Sequence, residues 1–146
     1  AKIMVNGRAD LAQAGGADGV HLNVYSSGVA DTRKAAGDDF IVGFSAHSIE
    51  EVRQASTEGA DYLLCSPVFA PMSHKSPRPP IGIDGLQKLI ASASIPVFAL
   101  GGITAENAAA CRSAGAAGIA VITAVLRAGG ADSAAGQLID AWEGAA

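Results

Sequence analysis

The chain has 146 residues, of which 49% are hydrophobic, 16% charged and only 5% aromatic, with a formal net charge of −4. A length within the ~100–200 residues of one domain and a charged fraction below the ~25% of average soluble domains describe a globular unit with a sizeable core, and exclude a disordered or fibrous chain. The acidic balance, with no local cluster of Lys and Arg, excludes a nucleic-acid backbone as partner.

Residues 2–5 form a first short apolar run and read as a strand. The stretch Gly16-Ala17-Asp18-Gly19-Val20-His21-Leu22 opens a theme that recurs at Gly59-Ala60-Asp61-Tyr62-Leu63-Leu64 and at Gly115-Ala116-Ala117-Gly118-Ile119-Ala120-Val121. Each copy follows an alanine-rich stretch. Its first glycine suits a left-handed helix cap, and the apolar run behind it reads as a strand buried on both faces. Residues 40–44 and 95–100 bring the count to six strands.

Between the strands the spacing turns helical. Residues 48–58 place Ile49, Val52 and Ala55 on one face and Glu50, Glu51 and Arg53 elsewhere, with Ser45, His47 or Ser48 as the cap. Residues 83–91 gather Leu86, Leu89 and Ile90, and 105–114 and 131–142 are alanine-rich helices. Unbroken strand–helix alternation specifies an α/β fold with a parallel sheet and right-handed crossovers, either open and doubly wound or part of a (β/α)8 barrel. The longest nearly uncharged apolar run, 114–126, falls short of the ~18 residues of a membrane span, so no membrane partner is expected. Cys65 and Cys111 stand apart, outside any CxxC pair, and a cytoplasmic location is the default. The chain enters an apolar segment directly from Ala1, which reads as a cut rather than a terminus.

One long irregular segment interrupts the rhythm. Residues 66–82 hold five of the six prolines, and a loop of this length after a strand is either functional or a rigid connection. His74, beside Lys75 in its middle, is well placed for an anionic ligand. After the strand 95–100 comes Gly101-Gly102-Ile103-Thr104, with Thr104 as a cap and Glu106 and Asn107 in the first helical turn. Two glycines let the backbone approach a ligand closely, and free N–H groups at a helix start hold phosphate, although a tight turn alone accounts for the pair equally well. The last strand ends at Val121-Ile122-Thr123, before another helical turn from Ala124. Phosphates in barrels commonly sit on the loops after strands seven and eight. GxGxxG and Walker loops are absent. His21, His47 and His74 follow different strands with no carboxylate at metal-ligand spacing, so no metal site is expected. His21 reads as a satisfied buried histidine, His47 as a capping residue, and Ser45 as either a cap or a group on the strand-end face.

Seven motifs then stand in order: Asn6 after a strand, Gly16 to Leu22, Gly43-Phe44-Ser45-Ala46-His47-Ser48, Gly59-Ala60-Asp61-Tyr62, Ser66-Pro67-Val68-Phe69, Pro79-Pro80-Ile81-Gly82, and Ala99-Leu100-Gly101-Gly102-Ile103. With them the chain resembles the thiamine phosphate synthase/TenI family throughout. The resemblance implies a (β/α)8 TIM barrel of which residues 1–146 are the C-terminal three-quarters, strands three to eight, without the first two βα units; a whole barrel needs ~250 residues. It implies synthase chemistry, in which the nitrogen of a thiazole phosphate displaces diphosphate from hydroxymethylpyrimidine diphosphate with help from Mg2+. By match of motif, Gly101, Gly102, Ile122 and Thr123 hold the thiazole phosphate, and Asn6 and Ser45 bind the pyrimidine or diphosphate. Ser73, with Lys75 or His74, meets anionic oxygens. The partners implied are small phosphate and diphosphate substrates.

The sequence also departs from the family pattern. The magnesium carboxylates of the family follow the Asn of the first motif and lie four or five residues beyond His-Leu; here Gly7 and the stretch Tyr25, Ser26 and Ser27 occupy those places, so neither carboxylate ligand of Mg2+ is present. In the 66–82 loop Pro71 stands where the family has its first threonine, and His74 stands where its lysine belongs. The Gln-x-Arg-x-Lys strand that grips diphosphate is absent, so the chain is expected to be inactive alone. Two alternatives therefore remain: a thiazole tautomerase-like isomerase, whose histidine falls at Pro67, and a diverged phosphate-binding domain without catalysis appended to another enzyme.

Overall fold

The computed structural model describes residues 1–71 and 78–144. In chain order the elements are β1 (Met4–Asn6), α1 (Ala9–Ala14), β2 (Gly19–Leu22), α2 (Val29–Ala36), β3 (Ile41–Ala46), α3 (Ile49–Thr57) and β4 (Tyr62–Cys65), then α4 (Gly82–Ser92), β5 (Val97–Leu100), α5 (Ala105–Ser113), β6 (Gly118–Ala120), α6 (Thr123–Leu126) and α7 (Ala131–Glu143). The strands form one sheet in the order β1-β2-β3-β4-β5-β6. Strands β1 and β2, β2 and β3, and β5 and β6 pair in parallel. The α/β fold with six strands expected from the alternation is therefore present among the described residues. No helix among them is long and apolar enough to cross a membrane.

The contacts divide the chain into two compact units, residues 1–64 with 92–96, and 65–91 with 97–146. In the first, Val20, Leu22, Val42, Val52 and Leu63 are fully buried. The repeated theme has a shared physical cause here. Gly16 and Gly59 both take positive φ, and the aspartate two residues later returns to the preceding strand region. The Asp18 N–H donates to Ile3 O at 3.0 Å while its carboxylate accepts from Ile3 N at 2.8 Å. The Asp61 N–H donates to Val42 O at 2.7 Å while its carboxylate accepts from Val42 N at 2.7 Å. Each aspartate so satisfies both backbone groups, the N–H and the C=O, of one residue. Arg33 of α2 reinforces the second closure, donating to Gly59 O, Gly37 O, Phe40 O and the Asp61 carboxylate.

In the second unit Leu86, Val97, Ala99, Ile103, Ala108 and Leu138 are buried. The third copy of the theme keeps the positive φ at Gly115 and the backbone bond, Ala117 N–H to Val97 O at 2.8 Å, without a carboxylate. Arg112 of α5 donates to Trp142 O and Glu143 O at the end of α7, and its guanidinium lies 5.9 Å from the Trp142 ring centre.

Some boundaries differ from the sequence reading. Strand β3 runs to Ala46, so Ser45 lies within the strand. Strand β5 begins at Val97 because Pro96 has no N–H to offer a ladder. Strand β6 is only half-buried throughout, against the expectation of burial on both faces, because it is an edge of the sheet. Helix α3 is capped by Ser48, whose Oγ accepts from Glu51 N at 3.1 Å, while Glu51 Oε2 accepts from His47 N at 2.6 Å. Ser45 and His47 are thus not the side-chain cap.

Candidate functional site

In the first unit the parallel register aligns Asn6 with His21 and His21 with Gly43. Partners in register face the same side of a sheet, and Ser45, two residues beyond Gly43, shares that side. Asn6 is exposed and His21 half-buried. The His21 ring bridges two hydroxyls: Nε2 lies 2.8 Å from Ser45 Oγ and Nδ1 lies 3.1 Å from Tyr62 Oη. Its ring stacks on Tyr62 with centroids 5.6 Å apart at 28°. Burial holds the imidazole below its usual titration range, and burial together with the Asp61 charge holds the Tyr62 phenol above its own. Both groups are therefore neutral at pH 7. The satisfied histidine expected at position 21 is present, half-buried rather than buried, with Ser45 and Tyr62 as its partners. Gly43 makes room for this cluster, since a Cβ there would overlap the Tyr62 ring.

A cavity of about 340 Å3, lined in part by Asn23, Ser26, Phe44, Glu51 and Gln54, lies on the other side of β3. Alternation along the strand puts Phe44 opposite Ser45, so this cavity is separate from the His21 cluster.

In the second unit the register pairs Phe98 with Gly118 and Leu100 with Ala120, which sets the turn after β5 beside the turn after β6. Gly101 and Gly102 take φ +96° and +65°. A Cβ on Gly101 would meet Pro67 Cα at 2.8 Å, and one on Gly102 would meet Ala70 O at 2.5 Å. Glycine is thus required at both positions by backbone conformation and by close packing. Asn107 holds the turn: its Oδ1 accepts from Thr104 N and its Nδ2 donates to Gly102 O, both at 2.9 Å. Thr104 caps α5 in extended conformation, as expected, and its hydroxyl draws the Glu106 carboxyl below the usual range. Ile122 is exposed and precedes Thr123, the first residue of α6.

A model of the thiamine monophosphate synthase family matches residues 1–125. The chain belongs to the thiamine monophosphate synthase family. It is 43% identical over 143 residues to the thiamine-phosphate synthase of Anaeromyxobacter dehalogenans, covering 98% of this chain and 64% of that protein. It is 46% identical over 127 residues to that of Chlorobium phaeovibrioides, covering 87% of this chain and 61% of the relative. The solved thiamine phosphate pyrophosphorylase of Pyrococcus furiosus superposes with a TM-score of 0.86 at 37% identity, covering 97% of this chain and 67% of that one. The chain thus spans a little under two thirds of these curated relatives.

Membership of the thiamine monophosphate synthase family brings Mg2+ into question, and the donors in place do not fit it. Gly7 has no side chain, and Ser26 Oγ accepts from Asn23 N at 3.1 Å. Magnesium asks for one or two carboxylates among its oxygen ligands. Among the described residues no group of three or more His, Cys, Asp or Glu could hold a metal ion. Ser73, His74 and Lys75 lie outside the described residues.

Two residues of the candidate site escaped the sequence reading. Tyr62 was legible only as a strand residue, because its ring reaches across the sheet to His21, which no spacing within one segment encodes. Asn107 was visible as a first-turn residue, and the N3 position of a capping box was the available signal.

Proposed function

We propose that this chain carries the substrate-binding part of a thiamine phosphate synthase, as strands three to eight of a (β/α)8 barrel. The observation that carries the reading is the family match over residues 1–125, together with paired turns after β5 and β6 where the motifs place the thiazole phosphate. In this reading the backbone at Gly101, Gly102, Ile122 and Thr123 holds that phosphate through N–H groups rather than through a basic side chain. Asn6 and Ser45 bind the pyrimidine or its diphosphate. Ser73, His74 and Lys75 supply donors to anionic oxygens, His74 and Lys75 being candidates for the same role.

The reaction forms a bond between the thiazole nitrogen and the pyrimidine methylene carbon as the bond from that carbon to diphosphate breaks. Donors placed where negative charge develops on the leaving diphosphate lower the barrier. The substrates are small phosphates in a cytoplasmic setting.

The test is a titration of the isotope-labelled chain with thiazole phosphate, followed by amide NMR. Shifts at Gly102 and Thr123, abolished by Gly102→Asp, are expected. Shifts confined to residues 66–82 would place the phosphate elsewhere and overturn the reading.

A second reading, a phosphate-binding domain without synthase activity, is favoured by Gly7 and Ser26 at the carboxylate positions. A chain that binds thiazole phosphate yet forms no thiamine phosphate from both substrates and Mg2+ would select it.

A further inference from the structure

The two hydrogen bonds of His21 have a direction. A neutral imidazole carries one donor and one acceptor nitrogen, so a ring bonded to two hydroxyls must take a proton from one and give a proton to the other. Tyr62 Oη stands 3.1 Å from Nδ1 and Ser45 Oγ stands 2.8 Å from Nε2. A phenol, with a pKa near 10, is a far better proton donor than an aliphatic hydroxyl, so the acceptor nitrogen goes to the phenol. The stacking of the two rings and the gap left by Gly43 hold Tyr62 in place for this bond.

We infer that Tyr62 and His21 are positioning residues that fix the Ser45 hydroxyl as a donor toward ligand: Tyr62 Oη–H donates to His21 Nδ1, His21 Nε2–H donates to Ser45 Oγ, and the Ser45 proton is left for an acceptor atom of the ligand. A donor at this position selects a phosphate oxygen or an unprotonated ring nitrogen and disfavours an amino group, because an amine would meet a proton already pointing at it. The ligand half rests on the proposed function; the hydrogen-bond direction does not. Ser45, Gly43, His21 and Tyr62 come from three successive strands, so the relay depends on the register of β2 with β3 and on the start of β4.

The relay is tested on the 146-residue chain with 15N-labelled histidine at pH 8, reading the His21 tautomer by long-range 1H–15N correlation. The Nε2–H tautomer is expected. Ser45→Ala leaves the phenol bond intact and should keep that tautomer, whereas Tyr62→Phe keeps the ring and should raise the Nδ1–H fraction severalfold. An Nδ1–H ring in the unmodified chain, or a tautomer indifferent to Tyr62→Phe but reversed by Ser45→Ala, overturns the relay. If Tyr62→Phe does not fold, the unmodified chain and Ser45→Ala still decide. For the ligand half, Ser45→Ala is titrated with inorganic diphosphate and, separately, with 4-amino-5-hydroxymethyl-2-methylpyrimidine. A loss of about tenfold in affinity for one of them, of the size expected for a hydrogen bond to a charged or strong acceptor, identifies which supplies the acceptor. Unchanged affinity for both removes Ser45 from the binding site and overturns the ligand half, whatever the tautomer.

Discussion

Gly7 and Ser26 face one another: a Cβ placed on Gly7 would lie 3.5 Å from the Ser26 hydroxyl oxygen. The two places where the family resemblance leads one to expect magnesium carboxylates are therefore neighbours in space, and both lack a carboxylate. One cation could be shared by acids at the two sites. The unmodified chain is expected to bind Mn2+, a probe of Mg2+ sites, without saturation in the low millimolar range. Gly7→Asp combined with Ser26→Asp should bind it at least about tenfold more tightly, since hard divalent cations take carboxylate oxygens. Asp is among the residues that tolerate the φ of +75° at position 7. Mn2+ paramagnetic resonance gives the bound fraction directly. Tight saturable binding by the unmodified chain would mean that other residues hold the ion.

Gly43→Ala and Gly16→Ala separate two reasons for glycine. At Gly43 a methyl group would overlap the Tyr62 ring, so the sheet or the ring must shift, a cost of about 1–3 kcal/mol by comparison with overpacked cores. At Gly16 nothing lies within 4 Å, and only the positive φ of +67° opposes a side chain, a cost of about 1 kcal/mol. Urea unfolding should rank the variants in that order. Only Gly43→Ala should also displace the His21 and Tyr62 ring resonances.

Asn107 spends both ends of its carboxamide on one turn, and its replacements should differ. Asn107→Ala loses both bonds, a destabilisation of about 1–2 kcal/mol. Asn107→Asp keeps the acceptor for Thr104 N but sets an oxygen against Gly102 O. Thermal unfolding measures the first effect. Amide shifts at Gly102 under thiazole phosphate measure the second, and Asn107→Asp should bind the phosphate more weakly than Asn107→Ala.

Stability should carry a mark of His21. Its pKa in the folded chain lies below the ordinary 6.5 because burial disfavours the charged ring. Between the folded and unfolded values the unfolded chain binds more protons, so stability rises with pH in that window. The contribution is fully present above 6.5 and is lost as pH falls through the folded value. Urea midpoints of the chain and of His21→Gln, measured from pH 5 to 8, should converge toward the acidic end. A constant separation would show that His21 titrates alike in both states.

The parts of this molecule legible in its sequence are those encoded within short segments. The helix-to-strand glycines, the six strands and the Thr104 cap each depend on neighbours a few positions away. The role of Ser45 was left open between cap and strand face because its partner, His21, is 24 residues distant and two hydroxyls compete for one ring. The resemblance points to Gly102, but not to Asn107 as its brace. The sequence leaves Gly101 and Gly102 open between room for a phosphate and a tight turn, because Pro67, Phe69 and Ala70, whose closeness also demands glycine there, lie more than 30 residues away along the chain.

Arg33 joins three stretches of chain by bonding Gly37 O, Phe40 O, Gly59 O and the Asp61 carboxylate, and Asp61 in turn takes Val42 N. No other residue type can take its place: lysine offers three donors on one nitrogen and cannot reach carbonyls in different directions at once. The amides of Val42 and Asp61 therefore exchange with solvent only when the whole closure from α2 to β4 opens, and their deuterium uptake should follow one shared rate. Around this one arginine, residues 33–63 are expected to open as a single cooperative unit.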